Sequence, residues 1–207
     1  MGENLTNQGR RDFVKKSGLG IIGAALAPSF LANLPVGSRL RTAHIGLGMM
    51  GTADLGSISS HSAVDVVALC DVDSNNMANA AKLHPKAKLF TDYRTLLKEM
   101  GDKIDAVIVS TPDHTHAPAA MAAMKMDKPV YCQKPLTHYV SEARAMKKLA
   151  QDKNLVTQMG IQVHSFYDYK LATLLIQSGI IGKVHTVRAW SPKDWGYDGK
   201  APEGSDP

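Results

Sequence analysis

The sequence predicts an α/β domain built on a doubly wound parallel sheet, followed by the start of an incomplete α+β unit. Three observations predict it. Apolar runs alternate with helix-like segments from Arg41 to about Gly160. Three of these runs are β-branched and nearly uniform in hydrophobicity, as strands are when both faces of a parallel sheet are covered. The first run leaves through Gly46-Leu47-Gly48-Met49-Met50-Gly51, a G-x-G-x-x-G placed where a strand turns into a helix.

The elements follow in order. Strands are predicted over Thr42–Gly46, Val64–Cys70, Lys88–Phe90, Ile104–Ser110, Val130–Cys132 and Val156–Met159. The helices between and after them are predicted over Met50–Ser59, Ser74–Leu83, Tyr93–Met100, Pro118–Met126, Val140–Gln151 and Phe166–Gln177. Such alternation makes parallel neighbours joined by crossovers, with strand order 3-2-1-4-5. Ser178-Gly179 closes the last helix, and Ile181 to Trp190 reads as a turn and a strand of a new unit. After Trp190 the chain is rich in Pro and Gly up to Pro207. A lone strand leaves backbone groups unpaired, so the second unit looks started and not completed. The predicted organisation is a signal region over 1–38, a nucleotide-binding domain over 39–160 and the beginning of a second domain over 161–207.

With 207 residues, 44% hydrophobic and 21% charged, the chain has the make-up of a globular protein. Its net charge of +5 is uneven, because the first 38 residues carry Arg10, Arg11, Lys15 and Lys16 against Glu3 and Asp12. No basic run interleaved with aromatics remains, which argues against nucleic acid as a partner. Cys70 and Cys132 sit at the ends of strands three spacings apart, roughly 14 Å. A disulfide needs Cα atoms within about 7 Å, so two free, packed thiols are expected.

Arg10-Arg11-Asp12-Phe13-Val14-Lys15-Lys16 precedes an apolar stretch from Gly18 to Ala27. A charged region followed by an apolar one is a secretory pattern, and the arginine pair resembles the twin-arginine export consensus. Gly9 stands where Ser or Thr is usual, and Val14 where Leu is usual. The alternative is an amphipathic helix or short anchor. Pro28 breaks the run well short of a spanning length. Ala25-Leu26-Ala27 fits a cleavage site, with others near Ala32 or Gly37. Export to the periplasm in folded form suits a protein that must carry a cytoplasmic cofactor with it.

The glycines let the backbone turn tightly and approach a pyrophosphate, and the helix that follows offers N–H groups and a positive dipole end. Twenty residues past Gly51, the second strand ends at Asp71. A carboxylate there accepts hydrogen bonds from ribose hydroxyls and repels a 2′-phosphate, which favours NAD over NADP. Asp71 could equally be a turn acid, and Asp73 a cap for the Ser74 helix. Ser110-Thr111-Pro112-Asp113-His114-Thr115-His116 leaves a buried strand at the topological switch point, where ligands bind. His114 and His116 lack companions at ligand spacing, so no metal is expected. His114 suits loop hydrogen bonding and capping of the Pro118 helix, and His44 suits packing inside the first strand. Lys134 lies at the end of the fifth strand, where Pro135 keeps it extended. An ammonium there could polarise a substrate hydroxyl and help move its proton. By spacing alone it could equally be a surface lysine.

Together these segments resemble the glucose–fructose oxidoreductase, inositol dehydrogenase and MocA family (Gfo/Idh/MocA). The matching pieces are Gly46-x-Gly48-x-x-Gly51, Cys70-Asp71-Val72-Asp73, Ser110 to His116, Gln133-Lys134-Pro135 and Thr157 to Gln162, within about residues 40–190. The family pattern is usually Glu-Lys-Pro; Gln133 keeps a hydrogen-bond acceptor but loses the charge. The resemblance implies a Rossmann-type domain binding NAD through Gly46, Gly48, Met49, Met50, Gly51, Asp71, Ser110, Thr111, Pro112, His116, Gln133 and Lys134. It implies Lys134 as the catalytic lysine beside the nicotinamide, and Gln162 and His164 facing the substrate or packing the next helix.

The implied reaction is hydride transfer with a sugar, cyclitol or related polyol. Some relatives instead cleave glycosides by transient oxidation. A second domain, a broad sheet, would supply the remaining active-site wall and mediate a homo-oligomer. His185 comes too early to match the family's catalytic histidine, and Trp190 and Trp195 suit packing or sugar stacking. The chain is therefore expected to be a fragment, inactive alone.

Overall fold

A computed structural model describes residues 39–190. Within it, the chain through Ile161 forms one compact unit and the chain from Gln162 another. The twin-arginine segment and Trp195 lie outside the described residues.

The first unit is a six-stranded parallel sheet in the order β3-β2-β1-β4-β5-β6. The strands are β1 (Leu40–Ile45), β2 (Val64–Cys70), β3 (Lys88–Phe90), β4 (Ala106–Val109), β5 (Val130–Gln133) and β6 (Thr157–Gly160). Crossing between them are α1 (Met49–Ser59), α2 (Ser74–Leu83), α3 (Tyr93–Met100), α4 (His116–Lys125) and α5 (Val140–Asp152). The predicted order stands, with β6 added beyond β5.

Side-chain alternation sends each strand to both faces. Ala43, Ile45, Ala68, Cys70, Val107, Val109, Val130 and Cys132 pack with Leu96, Leu97, Ala119, Ala120 and Ala123 from α3 and α4. Leu69 packs on the other face with Leu55 from α1 and Met77 and Ala80 from α2. The alanines of α4 leave room for that helix to lie close to the sheet. α4 begins two residues before the predicted Pro118. The first turn has no intrahelical use for its N–H groups, so proline is tolerated inside it.

The two cysteines share one row across the sheet, Cys70 beside Ile45, Ile45 beside Val109 and Val109 beside Cys132. Both are free and buried. Burial pushes each thiol up to about 12, so both remain inert packing groups. Arg41 clamps the start of the sheet. Its backbone N–H, Nε and Nη2 donate to the Asp105 carboxylate at 2.8, 2.9 and 2.6 Å. That hydrogen bonding holds Asp105 below the usual carboxylate range.

The second unit contains a short turn, Gln162–Ser165, and helix α6 (Tyr167–Gln177). The strand expected up to Trp190 is corrected. Residues 182–190 are exposed and form no regular structure. The described part of this unit offers no neighbouring strand, and a strand's backbone groups need one.

His44 is 1% exposed, and its Nε2 lies 3.2 Å from Thr42 Oγ1. Burial, aided by His84, pushes it from 6.5 down to about 3. The folded state therefore refuses a proton that the unfolded chain accepts below pH 6.5. Stability should fall as pH drops from about 6.5 toward 3, by up to about 1.4 kcal/mol per unit from this group. Urea unfolding at pH 7 and pH 5 checks this. His44→Gln should flatten the dependence, and an unchanged slope would refute the assignment.

Candidate functional site

The C-terminal ends of β1, β2, β4 and β5 carry the predicted residues. Gly46 leaves β1 at φ +87°, and its N–H donates to the Cys70 carbonyl at 2.9 Å. A Cβ on Gly46 would come within 2.6 Å of the Ser110–Thr111 peptide. A Cβ on Gly51 would strike the Gly46 carbonyl oxygen. These two glycines let the turn fold against the end of β4. Gly48 starts α1 with no side-chain cap, so backbone N–H groups rather than a cap face the turn. Met49 and Met50 are exposed on it.

Asp71 follows β2 and is fastened to this turn. Leu47 N–H donates to its Oδ2 at 2.6 Å, and Asp73 N–H to its Oδ1 at 2.8 Å. An ionised carboxylate accepts about four hydrogen bonds, so it retains capacity for further donors. Asp73 caps α2, accepting from Asn75 N–H at 2.7 Å. Beside the turn, Ser110 N–H donates to the Ile45 carbonyl at 2.8 Å. Thr111 Oγ1 is buried and has no hydrogen-bond partner among the described residues. Pro112 is exposed next to it.

His116 opens α4 and is 1% exposed. Its Nδ1 lies 2.6 Å from the Pro135 carbonyl oxygen and its Nε2 2.7 Å from that of Thr111. The ring thus ties the β4 loop to the β5 loop rather than projecting into open space. His114 is exposed, and the residue at the start of α4 is Thr115, without a side-chain cap. The expectation that His114 caps this helix is corrected. The chain turns through a 3-10 segment, Asp113–Thr115, held by Thr115 N–H and Oγ1 donating to the Pro112 carbonyl.

Lys134 follows β5 and its side chain is exposed. Its backbone N–H donates to Gln133 Oε1 at 2.9 Å. The Gln133 amide is 3% exposed, and its Nε2 donates to both oxygens of Asp54 at 3.1 and 3.0 Å. Ser110 Oγ donates to Asp54 Oδ2 at 2.6 Å. Ser110 and Gln133 therefore turn inward, onto an acid that the sequence reading passed over. Its signal was available. Gly51, Asp54 and Leu55 follow the i, i+3, i+4 spacing of a buried helix face, and an acid on such a face needs buried donors.

Gln162 and His164 lie in the second unit, where the His164 ring stacks on Tyr169 at 5.2 Å. Among the described residues no group of three or more His, Cys, Asp or Glu is placed to hold a metal ion.

The family described as "Oxidoreductase family, NAD-binding Rossmann fold" matches residues 40–161, more than half of the chain. The chain belongs to this Gfo/Idh/MocA family. It is 30% identical over 125 residues to levoglucosan dehydrogenase of Pseudarthrobacter phenanthrenivorans, covering 60% of this chain and 32% of that protein. It is 35% identical over 138 residues to a glycosyl hydrolase family 109 protein of Stenotrophomonas maltophilia, covering 60% and 29%. The structure resembles myo-inositol 2-dehydrogenase of Lactobacillus plantarum, with a TM-score of 0.66 and 28% identity, over 71% of this chain and 43% of that one. The chain spans less than half the length of these relatives.

The Gfo/Idh/MocA fold places the glycine turn, Asp71, Thr111 and Lys134 on one edge of the sheet, beside the β1/β4 switch point. Gly46→Ala would force a Cβ into the Ser110–Thr111 peptide at a positive φ. It should destabilise the domain by about 2 kcal/mol or more, measured by denaturant unfolding. An unchanged midpoint would show that the turn relaxes freely.

Proposed function

We propose that the protein is an NAD-dependent oxidoreductase acting on a hydroxyl-bearing carbon of a sugar, cyclitol or related polyol. One observation carries the reading. A glycine turn without side chains, an acid fastened to it and an exposed lysine gather at one sheet edge, inside the segment that matches the NAD-binding family. The residues suit the cofactor. The bare turn and the α1 N-terminus accept a pyrophosphate, and the spare acceptor capacity of Asp71 suits ribose hydroxyls. The buried hydroxyl of Thr111 lacks a partner that a bound ligand would supply. The charge on Asp71 disfavours NADP.

NAD, when bound, supplies the carbon that takes or returns a hydride. The protein's part is orientation and proton movement. Lys134 Nζ hydrogen-bonds the substrate hydroxyl oxygen. As an amine it takes that proton during oxidation, and as an ammonium it returns one during reduction. The names of the relatives, levoglucosan dehydrogenase and myo-inositol 2-dehydrogenase, support a cyclic polyol or sugar as the substrate class.

A second reading has its own support in the 35% identity to the glycosyl hydrolase family 109 protein. In it, the same cofactor oxidises a glycoside transiently and is restored after cleavage. One assay separates the two. With polyol and glycoside substrates, simple oxidoreduction consumes NAD in step with product, whereas hydrolysis consumes none. In either case Lys134→Ala should lower kcat, measured at saturating NAD, by about 10²- to 10⁴-fold. Failure of the chain to bind NAD would sink both readings.

We also infer export through the twin-arginine route to the periplasm, on the strength of Arg10-Arg11 and the apolar run that follows. Arg10→Lys/Arg11→Lys should strand the protein in the cytoplasm, read by cell fractionation. An unchanged distribution would overturn the inference.

A further inference from the structure

Asp54 is an acid inside a helix, 8% exposed, and its side-chain donors Ser110 and Gln133 come from two strand ends. Its surroundings constrain one amide. A carboxylate only accepts, whereas the glutamine side chain has one accepting end and one donating end. With Asp54 on one side and the Lys134 N–H on the other, only one orientation of the Gln133 amide satisfies both. Its NH₂ must point at Asp54 and its carbonyl at Lys134, as found at 3.0–3.1 Å and 2.9 Å. The opposite orientation would set an oxygen against a carboxylate and leave the Lys134 N–H facing a donor.

Two further features frame this amide. Gly160, beside Gln133 in the sheet, leaves room for it, because a Cβ there would meet the Tyr131 hydroxyl oxygen at 2.6 Å and the Gln133 amide carbon and nitrogen at 3.0 Å. Ser110 Oγ–H occupies one Asp54 oxygen, so the acid also ties the end of β4 to α1. The family pattern usually has Glu where this chain has Gln133. Here the carboxylate is on α1 instead of β5, and the glutamine links it to the lysine backbone.

We propose that Asp54 is a positioning residue that sets the Gln133 amide and, through it, the backbone of Lys134, standing in for the carboxylate that position 133 lacks. The role of Lys134 in turnover rests on the function proposed above. The link from Asp54 to the Lys134 backbone does not.

The test exchanges the two groups in the full chain. Asp54→Asn introduces an NH₂ that competes for the Gln133 carbonyl and turns the amide away from Lys134. Hydrogen exchange at the Lys134 backbone amide should accelerate at least tenfold, and kcat should fall at least tenfold with NAD affinity within threefold. Gln133→Glu alone sets two carboxylates against each other and should do the same. The double variant Asp54→Asn/Gln133→Glu restores a complete set of partners. The amide introduced on α1 donates to one oxygen of the carboxylate introduced on β5, and the Lys134 N–H donates to the other oxygen. Ser110 donates to the carbonyl of the new amide. The double variant should recover both exchange protection and kcat to within threefold, which a merely space-filling role for Asp54 would not produce.

Wild-type protection at Lys134 in Asp54→Asn overturns the proposal. So does a folded double variant that stays as impaired as the singles. If Asp54→Asn fails to fold, Gly160→Ala in a Tyr131→Phe background, which removes the hydroxyl that a Cβ at position 160 would otherwise meet first, tests the same link. It crowds the Gln133 amide from β6 and leaves Asp54 in place, so Lys134 exchange must accelerate, and unchanged exchange overturns the proposal. The exchange measurement needs neither cofactor nor turnover. A chain that binds no NAD therefore refutes the proposed function while exchange still decides the Asp54 link. NAD-dependent turnover with wild-type exchange in the variants refutes the link alone.

Discussion

The contact between Gly46 and the Ser110–Thr111 peptide is the constraint on which the site depends. Strands β1 and β4 are neighbours, and the chain leaves them at the same edge. For the glycine turn to lie against the β4 loop, no side-chain carbon can stand between them, since a Cβ on Gly46 would come within 2.6 Å of the Ser110–Thr111 peptide. Once that contact forms, the start of α1, Thr111 and Asp71 all lie at the carboxyl ends of the strands beside the β1/β4 switch point, where sheets of this class form their crevice. The crevice is then a consequence of sheet order and two absent side chains.

Two carboxylates near this crevice have different tasks, and their partners distinguish them. Asp71 is half-exposed and takes two backbone N–H groups and, at 3.5 Å, the Asn76 amide, so it steadies the turn while keeping room for a further donor. Asp54 is buried and takes side-chain donors from two strand ends, so it braces α1 against β4 and β5. His116 adds a second brace on the opposite side of the β4 loop, linking the Thr111 and Pro135 carbonyls. The exposed lysine at the end of β5 thus stands on a loop held from two directions. Placing reactive groups on loops supported by rigid strand ends is how this class of sheet combines access with order.

Much of the fold was legible because parallel strands covered on both faces must be apolar along their length. Val64–Cys70, Lys88–Phe90, Ser74–Leu83 and Tyr93–Met100 have the predicted bounds. Ends shifted where the local signal was ambiguous, as at α4, where Pro118 marks a first turn and not a first residue. The segment up to Trp190 misled because its alternation of apolar and polar residues describes a preference that only a neighbouring strand can realise. In the site, glycines, Asp71 and Lys134 were visible from type and spacing. Asp54 was legible only as an acid on an apolar helix face, because the partners that give it importance lie 56 and 79 residues away.

The sequence by itself determined the sheet order, the turn at Gly46 to Gly51 and the family. Each of these follows from local periodicity or from motifs whose residue types have few physical substitutes. Only the tertiary structure decided which polar groups face the crevice and which face inward. Ser110, Gln133 and His116 read as cofactor-lining residues from their positions, yet all three spend their side chains on internal partners. The physical reason is that a hydrogen bond is decided by which acceptor arrives across the fold. A residue's own type declares only what it is able to donate or accept.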